Sequence, residues 1–259
     1  MSRAALKDRL SDQVENLEAE SEGKVISIAR ADITIVDSEY AALANNALDI
    51  ITANLKNQPL SYHLFDVVKS PSGGATVFIV PGLNGDEPER ELTGIILDYT
   101  TPRAYWESSD PIEGELPVCY SSDSLVSRDG KSCSHCQFND FGSRDGDSNA
   151  KACKESVQIL LLRPNNIMPI LVRVPVSSKL TFQRYMTRLV GRMITLSGVI
   201  TRITLEKATS KQGKPYALYS FEAVSSLSQE EASAARVFGQ RIVDIVNADN
   251  IEPAVTEVT

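Results

Sequence analysis

The stretch CYSSDSLVSRDGKSCSHCQFNDFGSRDGDSNAKAC, residues 119–153, holds every cysteine of the chain. Cys119, Cys133, Cys136 and Cys153 are spaced C-x13-C-x2-C-x16-C. The central C-x2-C knuckle lets two thiolates turn toward one ion while backbone amides hydrogen-bond back to the sulfurs. One cysteine on each side then completes a tetrahedron. Between the ligands lie Ser, Asp, Gly and Asn, with few large apolar residues, and such a segment buries too little to order itself. A bound Zn2+ is the expected substitute for a core. Four thiolates close the coordination sphere and leave no place for substrate or an activated water, which makes the metal structural.

Other uses of the cysteines fit less well. Two disulfides suit small secreted scaffolds, whereas this chain is long and opens on no signal-peptide pattern. A thioredoxin-type pair belongs at a strand-to-helix junction, and here C-x-x-C sits among turn residues. A zinc deaminase needs an H-x-E element upstream of P-C-x-x-C, which the sequence lacks. Reduced thiols predict a cytoplasmic protein. No apolar run approaches the roughly 20 residues of a membrane span, so no membrane role is expected.

At 259 residues, 42% hydrophobic and 23% charged, the chain has the composition of a folded globular protein of one elaborated domain or two small ones. Its net charge of -8 is unevenly placed. From Arg144 to Lys214 there are thirteen basic residues against four acidic ones, a net +9 inside an acidic chain. Two readings of that block stand: a footprint for a polyanion, or a solvated face balanced by acids elsewhere.

Residues 1–60 read as an N-terminal region of helices and a strand packed on the core. It comprises a helix over 1–20 with the stripe Leu6, Leu10, Val14 and Leu17, an alternating strand over 24–37, and a helix from Ser38 to Lys56. Residues 61–118 open a β core, with strands over 62–69 and 75–80, a loop over 81–90, and a strand over 91–100 in which Gly94 marks a bulge or a close backbone approach. Arg103, Tyr105 and Trp106 follow. Trp106, the sole tryptophan, is either a plug for one end of a barrel or a platform for a base. Residues 119–153 are the zinc-binding insertion.

Residues 154–247 read as the rest of the β core with helices. Strands over 157–163 and 169–176 lead to a helix over 180–192, capped by Ser177 or Ser178. On it Arg184, Arg188 and Arg192 recur every four residues, as a phosphate-contacting ridge or as an ordinary solvated face. A strand over 193–208, broken at Gly198, turns through 210–215 with Lys211 and Lys214 into a strand over 216–224. The capping box Ser228–Glu231 opens a last helix, and 248–259 form a short acidic tail. Strands on both sides of a zinc-stapled insertion, with helices at the edges, predict an α+β fold on a small curved β-barrel of OB-like type with peripheral helices. Tyr105, Trp106, Phe138, Phe141, Tyr185 and Tyr216 lie near basic positions, a mixture suited to single strands, whose bases stack on rings while duplex phosphates need charge alone.

The run GIILDYTTPRAYW, P-V-C-Y-S-S-D, C-S-H-C-Q-F-N-D-F-G-S and K-A-C-K, with the ending LSQEEA, resembles zinc-containing single-stranded-DNA-binding proteins of phages and integrative elements. The resemblance covers the last two-thirds of the chain. It implies an OB fold carrying the metal, with Cys119, Cys133, Cys136 and Cys153 as ligands, and a protein that coats single strands in replication or recombination. Self-association along the strand and contacts to replication or recombination proteins are the expected partnerships. Zinc-bearing members of the wider group use one His with three Cys; here the set is four Cys, with His135 inside the knuckle. The candidates for strand contact are Arg103, Tyr105, Trp106, Phe138, Phe141, Lys151, Lys154, Arg163, Arg173, Arg184, Tyr185, Arg188, Lys211, Lys214 and Tyr216.

The competing class is a non-catalytic, zinc-stabilised interaction module whose basic face meets an acidic protein. An enzyme is the weakest reading. Asp140, Asp145 and Asp147 are the only acids placed for a nuclease metal, and they sit in a Gly/Ser loop where turn formation accounts for them. There is no Walker A loop, and neither His63 nor His135 has triad partners.

Overall fold

The computed structural model describes residues 40, 43, 47–56, 60, 64–68, 71, 73–108, 116–144, 149–210 and 213–248, all within the unit Ile35–Thr259. The expected helix over 1–20, the strand over 24–37 and the tail beyond 248 lie outside these residues, as do His63, Asp145, Asp147 and Lys211. In chain order the elements are helix α1 (Ala47–Leu55), strands β1 (Val67–Val68), β2 (Phe78–Gly82), β3 (Gly85–Glu89), β4 (Glu91–Thr100), β5 (Arg103–Tyr105), β6 (Cys119–Ser121), β7 (Lys154–Leu162) and β8 (Ile170–Pro175), helix α2 (Val176–Val190), strands β9 (Val199–Thr209) and β10 (Pro215–Ser226), and helix α3 (Gln229–Ala248).

The main sheet runs β1-β8-β7-β4-β9-β10, and β5 and β6 branch from β7. All its pairings are antiparallel except β1 with β8. It is strongly curled into a half-barrel, so the protein is a mixed α+β fold on a curved β core. Alternation decides which face each side chain takes. On one face Leu92 and Ile96 of β4, Val157, Ile159 and Leu161 of β7, Val172 and Val174 of β8, Ile203 of β9 and Tyr219 and Phe221 of β10 form a single core.

Helix α2 fills that face because it buries Ser178, Phe182, Tyr185 and Leu189, one side of a 3.6-residue repeat. Phe182 meets Tyr99 edge-on at 5.2 Å and Phe221 at the same distance. The Tyr185 hydroxyl bonds Thr201 Oγ1 at 2.7 Å. Helix α3 buries Ala235, Phe238, Ile242 and Val246 and packs on β4. Its capping box forms as expected: Ser228 N donates to the Glu231 carboxylate at 2.9 Å and Glu231 N to Ser228 Oγ at 3.2 Å.

Three expectations need correction. The loop over 81–90 holds the end of β2, the turn and the second strand of a β2–β3 hairpin, paired from Phe78↔Glu89 to Gly82↔Gly85. Its Gly, Pro and Asn content is turn chemistry, with Gly85 at φ +121 in a region closed to L side chains, and Pro88 is tolerated in a two-stranded ribbon that has only edges. Residues 193–198 do not extend β9. The helix stops in a turn with Met193 at φ +58 and Ile194 N donating to Leu189 O at 3.0 Å. Neither Ser177 nor Ser178 caps α2, which starts after Pro175. The buried Ser178 Oγ accepts the Tyr219 amide at 3.0 Å, tying the start of α2 to β10.

Gly94 fulfils its expected role. A Cβ there would run into the carbonyl oxygen of Leu162 on the paired strand and lie 3.1 Å from Leu161 Cδ1. Since paired backbone cannot yield, Gly94→Ala is expected to cost about 1–3 kcal/mol in urea unfolding, the range for overpacking. An unchanged midpoint would mean that β4 and β7 part easily at this point.

Candidate metal centre and nucleic-acid surface

Strands β5 and β6 lead out of the sheet into the cysteine segment, and a small apolar cluster of Ala104, Trp106 and Tyr120 supports its base. Backbone bonds hold each turn. Cys133 N donates to Leu125 O at 2.9 Å, Asn139 N to Cys136 O at 2.9 Å and Cys153 N to Phe138 O at 2.8 Å. Asp123 pins the turn after β6, its carboxylate accepting from Leu125 N at 2.8 Å and Val126 N at 3.2 Å. Those backbone bonds hold its pKa below the usual carboxylate range.

All four thiols are free; Cys133 and Cys153 are buried, and Cys119 and Cys136 half-buried. Burial pushes the Cys119 thiol up, and repulsion from Cys136 and then Cys133 adds to it. Burial pushes Cys153 up to about 11 against the opposing pull of Arg103, with Cys119, Cys136 and Cys133 again raising it. Among the described residues no three His, Cys, Asp or Glu side chains already stand in a ligating arrangement. The donor set is nevertheless soft and all-sulfur, which fits zinc and does not fit Mg2+ or Ca2+. Cys119, Cys133, Cys136 and Cys153 would hold the ion, and it would supply cross-linking, not chemistry. His135 is exposed, with Nδ1 at 3.0 Å from Ser134 Oγ and 3.3 Å from Ser132 Oγ.

A polar chain leads from this lobe to helix α2. Asn139 Nδ2 donates to Cys133 O at 2.8 Å, and Asn139 Oδ1 accepts from Arg103 Nη1 at 2.5 Å and from Lys151 Nζ at 3.0 Å. Arg103 Nη2 donates to Glu155 Oε2 at 2.7 Å, and the other Glu155 oxygen accepts from Lys179 Nζ. Arg103 and Glu155 are each only 13% exposed at the side chain. The guanidinium and the ammonium therefore share one carboxylate across the joint between lobe, sheet and helix. Glu155, Asn139 and Lys179 escape a motif search; the available signal is that Glu155 is one of only four acids in the basic block.

The sequence candidates divide by environment. Tyr185 and Trp106 are 5% and 7% exposed, so both are packing residues, and neither offers a ring face to a base. Tyr105 and Phe138 stack on each other, centroids 4.0 Å apart at 12°. Arg163 is held by Glu89 at 2.8 Å, and Arg173 is half-buried in β8 opposite Gln158. Lys154 is exposed at the start of β7. By contrast Arg184, Arg188 and Arg192 are exposed and have no carboxylate partner among the described residues; the first two ride the outer side of α2 and Arg192 lies just past its end. At the other end of α2, Ser177 joins Ser210, Lys214, Pro215 and Tyr216 around an open groove of about 440 Å3. Phe141 is 73% exposed, with Lys151 Nζ 4.5 Å from its ring centre.

No family model, curated protein or solved structure matches this chain. Its function is argued from the arrangement alone. No helix among the described residues is long and apolar enough to cross a membrane.

Glu155→Ala leaves Arg103 and Lys179 facing each other without their shared acceptor. The loss is expected to be on the order of 2 kcal/mol in denaturant unfolding, in the range for a half-buried charged group left unsatisfied. A change under about 0.5 kcal/mol would place the pair with solvent-screened surface bridges.

Proposed function

We propose that the protein binds single-stranded DNA without acting on it chemically, coating strands during replication or recombination in the cytoplasm of a bacterial host, on an OB-like curved barrel stapled by zinc at Cys119, Cys133, Cys136 and Cys153. The observation that carries this reading is the exposed row Arg184, Arg188 and Arg192 on and just past α2, without carboxylate partners among the described residues, together with the Lys214–Tyr216 groove at the start of the same helix. Phosphates need exposed cations free of carboxylate partners, and bases need ring faces nearby. The curled sheet supports a barrel scaffold, and the soft, all-sulfur donor set of four free thiols in one segment supports the metal. Replication or recombination proteins and further copies of the chain along the strand complete the expected partners.

A labelled poly-dT oligonucleotide is expected to bind with an affinity that falls steeply between about 50 and about 200 mM salt. Replacing Arg184 and Arg188 with Gln is expected to reduce the slope of log K against log salt by about 1.4, two phosphate contacts at about 0.7 each for a single strand. A wild-type slope near zero rejects the reading.

The metal has its own test. Co2+ is expected to give the intense visible bands and near-UV thiolate charge transfer of a tetrahedral all-sulfur site, one ion per chain, weakened in Cys136→Ser. An octahedral spectrum, pale and pink, would overturn the four-cysteine assignment.

A second reading rests on a different observation: Leu116, Val118, Leu125 and Val126 of the cysteine lobe are all more than half exposed, at 67%, 53%, 68% and 51%. Exposed large apolar side chains at and just before the cysteine segment suit a protein partner. On this reading the basic face meets an acidic protein, and oligonucleotides are ignored at moderate salt.

A further inference from the structure

We infer that the cysteine lobe is itself part of the strand-binding surface: Phe141 stacks a base of single-stranded DNA, and Lys151 takes the adjoining phosphate. The inference rests on the proposed function and locates a subsite on the lobe, away from the arginine ridge. Phe141 is placed by backbone rather than by packing. The Gly142 and Arg144 amides both donate to Ala150 O, each at 3.2 Å, closing the loop so that Phe141 and Lys151 emerge side by side at its neck. Gly142 makes the turn at φ +81, and Ser143 Oγ braces it by donating to Phe138 O at 3.0 Å and accepting the Ala152 amide at 2.9 Å. The result is a large, mostly exposed ring carried on a braced backbone.

The cation beside it is pre-set as well. Lys151 Nζ is fixed by Asn139 Oδ1, and Asn139 is fixed in turn by Arg103 and by the carbonyl of Cys133. An ammonium carries three donors and Asn139 takes one, which leaves two for phosphate oxygens next to a ring that can take a base. Asp140 is also exposed beside Phe141, so a bound phosphate must sit on the Lys151 side. The shared carboxylate of Glu155 fixes Arg103, and with it the lobe, against Lys179 in the first turns of α2. Ser177, two residues earlier, lines the Lys214–Tyr216 groove. The Lys214–Tyr216 groove thus also pairs an aromatic residue with a lysine, as Phe141 and Lys151 do on the lobe.

The experiment is a salt series of anisotropy titrations with labelled poly-dT on metal-loaded wild type, Phe141→Ala, Phe141→Tyr and Lys151→Gln, with metal content and Trp106 emission as checks on the fold. Phe141→Ala is expected to weaken binding about 5- to 100-fold, the loss of one stacked base, with the salt slope unchanged, and Phe141→Tyr to restore it. Lys151→Gln is expected to lower the slope by about 0.7, one phosphate on a single strand. If wild type binds with a steep slope while Phe141→Ala binds within twofold of it, the subsite is wrong and the proposed function stands. A loss in Phe141→Ala that comes with a changed slope also overturns the stacking role. Should wild type ignore poly-dT at low salt, both fall together. If Phe141→Ala loses its metal, the Phe141→Tyr and Lys151→Gln arms decide: a Lys151→Gln slope equal to wild type overturns the inference.

Discussion

Glu155 occupies the joint between the cysteine lobe, the sheet and α2. Its two oxygens serve Arg103 from the strand that leads into the cysteine lobe and Lys179 from the helix that fills the half-barrel. A carboxylate that is 13% exposed has lost most of its hydration and needs both partners. The geometry of lobe against helix is therefore set by charge as much as by packing. Arg103 extends the same constraint through Asn139 to the carbonyl of Cys133, so the knuckle, the sheet and α2 share one hydrogen-bonded line. Metal bound at the cysteines would rigidify the near end of that line and core packing rigidifies the far end.

Much of the β core was legible because its strands are long enough for periodicity to speak. Ile203 and Leu205 of β9 alternate with Arg202, Thr204 and Glu206, and Phe221 and Tyr219 opposite them on β10 face the same core. Gly94 and the Ser228 capping box were legible because a glycine inside a strand and a Ser-x-x-Glu start each have few physical uses. The β2–β3 hairpin was not, since five residues reading Gly-Asp-Glu-Pro-Glu carry loop chemistry and gain their strand geometry only from pairing with β2. The parallel contact of β1 with β8 was also hidden. Two residues of strand give no pattern, and a parallel partner can lie anywhere in the chain.

The candidate site divides along the same line. Residue type and spacing identify four cysteines as a set, because the chemistry of thiolates is carried by identity alone. Aromatic residues have no such label. Tyr185 and Trp106 sit beside basic residues in sequence as Phe141 does, yet tertiary packing buries the first two and leaves the third in water. Ring and charge adjacency along the chain thus marks candidates, while burial against a sheet face or a small cluster decides among them. Arginines show the same: Arg163 and Arg184 read alike, but only a folded hairpin brings Glu89 to the former.

This sorting also reconciles an acidic chain with the polyanionic ligand proposed for it. Net charge matters at long range, and at physiological salt the screening length is about 8 Å, so distant acids contribute little to the field over α2. What a phosphate meets is the local balance. Arg103, Arg163, Lys179 and Arg202 already face carboxylates, and a phosphate approaching them would have to compete with those partners. Arg184, Arg188, Arg192 and Lys214 have no carboxylate partner among the described residues, and Lys151 gives one bond to a neutral amide. Cations of this kind along α2, at the β9–β10 turn and on the cysteine lobe are the ones the proposed strand would use. Acids elsewhere would then act mainly on approach, disfavouring nonspecific encounters at the remaining surface while leaving the α2 surface attractive.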